Sequence, residues 1–206
     1  MTRLLLVFLS IMLLASCSNV NGVGDKERST VVGEETPQFE SYNGRPLKIA
    51  VVGQSPDIKE EEKIKFIRMD FAGLQQIDSP EFDAVFIMKD FLHEAAESDH
   101  AELYKTTNLP FFFIQSEKIT YAFSNADSSY ESAPSLSNSE YAVGYYNQKE
   151  GHLSWKYNSY NDMTTPETIM QVYSMIFTTI EELPLNNSNK KDSSSTSLTY
   201  FYSSKR

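Results

Sequence analysis

The chain has 206 residues, 40% apolar and 22% charged, with a net charge of -10 at pH 7. That is room for one ordinary domain with flanking segments, and apolar content enough for a packed core. The acidic balance argues against non-specific nucleic-acid binding, which needs a basic surface to displace phosphate counterions, and the single Cys excludes an internal disulfide framework and a cysteine zinc cage.

Arg3 is followed by residues 4–14, apolar except for Ser10, and then by the small residues Ala15 and Ser16. This run is shorter than the ~20 apolar residues a membrane-crossing helix needs, and it matches the apolar region of a secretory signal peptide. Cys17 follows at once. Leu14-Ala15-Ser16-Cys17 resembles the lipobox of bacterial lipoproteins. The resemblance implies that residues 1–16 are removed, that the Cys17 thiol carries a diacylglyceryl group, and that the mature protein sits on the extracytoplasmic face of the cell membrane. Two acyl chains hold a protein stably there, whereas one does not. The overall pattern is similar to that of small lipoproteins of Bacillus-type bacteria, which supplies an address and no activity.

Composition divides the remainder. Residues 17–45 are poor in large apolar side chains and read as the lipidated Cys17 and a flexible tether, and residues 186–206 read as a disordered tail interrupted by the apolar patch Leu198–Tyr202. The span 46–185 carries ten basic and twenty-two acidic residues, net -12. Such a domain is repelled by anionic headgroups and stands off the membrane.

Within that span, Leu47–Val52 is a buried-type strand ending at Gly53. Ser55 and Pro56 predict a helix start, with a short polar helix through Glu62. Ile64–Met69 predicts a second strand, Phe71–Ile77 a short apolar segment broken at Asp78-Ser79-Pro80, and Ala84–Met88 a third strand. Asp90 is placed to cap a helix carrying Leu92, Ala95, Ala96 and Leu103. Phe111–Ile114 predicts a strand and Ile119–Phe123 a further one, while residues 124–139, with seven Ser, predict a loop. Tyr141–Tyr146 and His152–Tyr157 form the arms of a hairpin turning at Gln148–Gly151. Thr165, Pro166 and Glu167 start a last helix with Ile169, Val172, Tyr173, Ile176 and Ile180 on one stripe. Strands alternating with helices predict an α/β fold: a single three-layer, flavodoxin-like or Rossmann-like domain, with a largely parallel sheet and an appended β-hairpin.

Ligands of open α/β sheets sit beyond the carboxyl ends of the strands. The ends of the first, third and fourth strands offer Gln54, Ser55, Lys89, Asp90, Ser116 and Glu117 as a candidate ligand crevice; loop and turn chemistry accounts for the same residues without a ligand. No dinucleotide fingerprint and no phosphate loop follows a strand, so no cofactor is expected. His93, Glu97 and His100 fall within an arc of about 60° if they share one helix, as a weak metal set whose ends lie about 10.5 Å apart along the axis. No Gly-x-Ser-x-Gly elbow is present and Cys17 is committed to lipid, which points away from an enzyme. Tyr145, Tyr146, Trp155 and Tyr157 lie on the hairpin, where adjacent residues face opposite ways, so that one of Tyr145 and Tyr146 is expected in water as part of a partner surface. Two functions follow: a membrane-anchored, non-enzymatic interaction module that contacts an envelope protein through the hairpin, or a small-solute-binding lipoprotein that uses the strand-end crevice. Two-lobed solute receptors need two α/β lobes, and the span 46–185 supplies one.

Overall fold

Six segments form strands of one mixed sheet in the computed structural model, which describes residues 39–77, 81–137, 140–148 and 151–183. β1 (Leu47–Val52), β2 (Ile64–Met69), β3 (Ala84–Ile87) and β4 (Phe111–Ile114) are mutually parallel, and β5 (Glu140–Gln148) and β6 (Gly151–Asn158) add antiparallel, giving the order β2-β1-β3-β4-β5-β6. The signal segment 1–16, Cys17, the tether to residue 38, the break at 78–80 and the tail 186–206 lie outside the described residues. Every residue of β3 and β4 is buried, and in β1 every residue but Lys48. Strands this apolar need a covering layer on each face.

Alternation along the strands supplies two cores. Ile49, Val51, Phe86, Phe112 and Ile114 point to the layer of α5 (Pro166–Glu182). Ala50, Val52, Val85, Ile87, Phe111 and Phe113 point to the other layer, formed by α1 (Phe71–Leu74), α2 (Leu92–Ala95), α3 (Ser98–Thr106) and α4 (Tyr121–Ser124). The predicted stripe of α5 is its buried face: Val172, Tyr173, Ile176 and Ile180 are all buried, and the Phe177 ring stacks parallel to Phe86. Thr165 starts α5 through a reciprocal capping box with Thr168, with Pro166 in the first turn.

Three predicted elements differ. The segment 55–62 is irregular and only its end turns, because Ile58 and Glu60 are drawn inward. Glu60 Oε1 accepts from the Tyr42 backbone N–H at 2.8 Å and from Ser174 Oγ at 2.6 Å, bonds that a solvated polar helix would forgo. The helix expected after Asp90 is split: a 3-10 turn (Lys89–Phe91) holds Asp90 within it, and α2 and α3 are separated at Ala96 and Glu97, where Glu97 adopts extended backbone. Ile119–Phe123 is no strand; α4 forms there so that Phe123 can stack on Phe113, with centroids 3.7 Å apart.

The fold also begins earlier than residue 46. Tyr42 is buried, its hydroxyl donates to the Arg45 carbonyl at 2.8 Å, and the Arg45 N–H donates to Glu181 at the end of α5. Gly44 lies so close to Glu181 that an added Cβ would overlap its carboxylate. Gly44→Ala should therefore lower unfolding stability by about 1–3 kcal/mol in a urea titration, and a chain starting at residue 46 should melt below one starting at residue 38.

Burial raises the hydroxyl pKa values of Tyr104, Tyr157 and Tyr173 well above the ordinary tyrosine value. A group whose pKa is raised by folding contributes stability that is complete below its unfolded pKa, about 10 for tyrosine, and is lost as pH rises beyond it. Alkaline titration should show these three rings ionising only with cooperative unfolding, as a late step in tyrosinate absorbance coincident with loss of circular dichroism.

Candidate functional site

From β1 the chain passes to β2 on one side, while β3 lies on the other, so the carboxyl end of β1 is where the strand order reverses. The chain leaves β1 through Gly53 at φ 112°. A Cβ there would come within 2.9 Å of Met88 Cβ and 3.2 Å of Phe91 Cδ2, so both the left-handed backbone and the close approach to the β3 exit require glycine.

A recess of about 520 Å³ opens at this point. Val52, Met69, Phe71 and Phe91 give it apolar walls, and Arg68, Asp70 and Glu94 bring charge of both signs. Asp70 Oδ1 accepts from the Gly73 N–H at 2.8 Å and caps α1. Among the described residues, none of these three charged side chains forms an ion pair. A larger recess, about 600 Å³, lies between α2, the start of α3 and the loop 126–132. There the exposed His93 Nδ1 pairs with Glu131 Oε1 at 2.8 Å, and the Glu131 carboxyl is held below its usual pKa by its own backbone N–H and by His93. Its charged lining is dominated by acids, Glu97, Asp99, Asp127 and Glu131.

The recess at the ends of β1 and β2 holds none of the six residues that the sequence offers for a strand-end crevice. Gln54, Ser55, Lys89, Asp90 and Glu117 are exposed, and none of them lines either recess. Ser116 is buried in a turn, where its Oγ donates to the Lys118 carbonyl at 2.8 Å and accepts from the Lys118 N–H at 3.1 Å. Arg68, Phe71, Phe91 and Glu94 were not anticipated. The signal for them is Met69-Asp70-Phe71, where β2 ends and Asp70 caps α1.

His93, Glu97 and His100 do not share one helix, since α2 ends at Ala95 and α3 begins at Ser98. His100 is buried with its ring stacked on Phe71 at 4.2 Å, while His93 is taken by Glu131. Among the described residues no cluster of three His, Cys, Asp or Glu is placed to hold a metal ion.

The aromatic rings of the hairpin are largely covered. Tyr145 and Tyr146 are 5% and 4% exposed, Tyr157 is buried, and Trp155 is half-buried beside Phe112. The expectation that one of Tyr145 and Tyr146 faces water is therefore overturned: β5 lies between β4 and β6, with Tyr145 in the core of α1–α4. Tyr146 Oη donates to Asn108 Oδ1 at 2.9 Å and Tyr157 Oη to Thr179 Oγ1 at 2.9 Å, so the rings reach hydrogen-bond partners inside the fold. Comparison with protein-family models, curated proteins and solved structures finds no match for this chain.

Tyr145→Ser and Tyr146→Ser should each cost about 3 kcal/mol or more in a denaturant titration, as for other truncated core aromatics. Tyr146→Phe should cost about 1 kcal/mol, the net worth of one hydrogen bond.

Proposed function

We propose that this chain is a lipid-anchored, extracytoplasmic protein whose α/β domain binds a small solute in the crevice beyond the carboxyl ends of β1 and β2. The observation that carries the reading is the recess at the reversal of strand order, with an apolar lining and unpaired charges of both signs. Its volume falls in the range of about 300–1,000 Å³ usual for small-molecule sites.

The fold reading that supports this is a flavodoxin-like core with its outer strand replaced by a hairpin. The β1-to-β2 connection buries Ile58 on the α5 face, while α1, α2 and α3, which lead to β3 and β4, pack on the opposite face. Right-handed crossovers require that separation, since the two sets of connections move across the sheet in opposite directions. The rival reading, a protein-contacting aromatic hairpin, loses its support because Tyr145, Tyr146 and Tyr157 are buried.

The anchor rests on Leu14-Ala15-Ser16-Cys17. Among the described residues no helix is long and apolar enough to cross a membrane. A lipid on Cys17 would hold the acidic domain at the membrane by its tether, facing solutes outside the cell. Cys17→Ser should abolish partitioning into the detergent phase, and retention of the variant in membranes would overturn the anchor. A thermal-shift screen of small solutes against the chain from Ser18 onward should find compounds that raise the midpoint by mass action and lose their effect in Phe91→Ala. A broad screen with no such compound would overturn the crevice.

A further inference from the structure

The charge arrangement of the recess narrows the solute, on the reading that the recess is a binding site. Arg68 is exposed at the end of β2 and Glu94 is exposed on α2, and both line the same recess with no ion pair between them. Asp70 already spends one oxygen on the cap of α1, whereas Glu94 forms no ion pair among the described residues. The same recess is lined by the apolar side chains of Val52, Met69, Phe71 and Phe91.

We infer that the solute is a zwitterion with an apolar side chain, an α-amino acid or a very short peptide. Its carboxylate meets Arg68, its ammonium meets Glu94, and its side chain lies against the two phenyl rings. Other classes fit less well. A phosphate-bearing or other multiply charged anion would meet two acids for one arginine, within a span whose net charge is -12. A simple cation would leave Arg68 as a repelling neighbour. A zwitterion has no net charge for that field to reject, and it presents a partner to each fixed charge at once.

The test is calorimetry on the chain from Ser18 onward with leucine, methionine and phenylalanine, each compared with its N-acetyl and carboxamide derivatives. The free amino acids should bind, and blocking either end should weaken binding tenfold or more. Arg68→Ala should remove the preference for the acid over the carboxamide, and Glu94→Gln the preference for the free amine over the N-acetyl form. Both side chains are exposed, so unchanged melting midpoints will certify that the variants are folded. Equal binding of blocked and free forms overturns the inference. So does failure of all three amino acids when solutes of another charge class bind and lose binding in Phe91→Ala; that result leaves the crevice standing, whereas the absence of binding by any class removes both.

Discussion

Three adjacent parallel strands with almost no polar side chain can exist only as the middle layer of a sandwich. Phe111, Phe112 and Phe113 show the constraint in three consecutive residues. The outer two enter the core of α1–α4 and the middle one enters the core of α5. Removing either layer would leave aromatic surface in water at roughly 1.5–3 kcal/mol per side chain, so neither layer is optional. The two layers are built differently. One is a single 17-residue helix with a continuous stripe. The other is assembled from four pieces, none longer than nine residues, whose fit depends on particular rings such as Phe123 on Phe113 and Tyr104 against Phe111.

The same constraint decides the hairpin. β5 extends the sheet beyond β4, where both layers still reach, so its inward and outward residues alike meet protein. Gly144 marks how tight this is: a Cβ there would lie 2.9 Å from both Phe112 and Trp155. The alternation of Tyr145 and Tyr146 was legible in the sequence, and it holds, with the two rings on opposite faces of one strand. What single-strand periodicity lacks is knowledge of which strands are interior. An appended hairpin suggests an edge with one wet face, yet only β6 is at the edge, and it carries the exposed His152, Ser154 and Lys156.

The strands were legible because their apolar runs are short and bounded; β1 and β2 fall on the residues that periodicity marks. The helices between them were not, because local start signals compete with distant bonds. Ser55-Pro56 is a sound helix start, but Glu60 gains two hydrogen bonds, to Tyr42 and Ser174, by leaving that helix unformed. Ser174 is 114 residues away, and no window around Glu60 contains it. Likewise, the apolar spacing from Leu92 to Leu103 fits one helix, while the burial of His100 against Phe71 and the Tyr104 hydroxyl bond to the Ala95 carbonyl hold the chain broken in two. The general rule that ligands sit at strand carboxyl ends pointed to that edge of the sheet, but not to these residues: the lining depends on β2, α1 and α2 converging, which is tertiary information.

That convergence has a cause in the missing helix. In a three-layer sheet, the connection leaving β1 usually forms a helix that packs one face and leaves its loop over the strand end. Here the connection has no helix and lies on the α5 side, held down by Ile58 and Glu60. On the other face, beside β1 and β2, the next covering piece is α1, a single turn fastened by Asp70. One turn is too short to reach the β3 exit, where Phe91 and Glu94 stand. The gap between them is the recess, floored by side chains of the apolar core and edged by the charges with which α2 and β2 meet water. A longer α1 would fill it and cover the half-buried Met69 and Phe91 more completely, at some gain in apolar contact. The chain leaves that contact unmade at the one place where an open α/β sheet is shaped to receive a ligand.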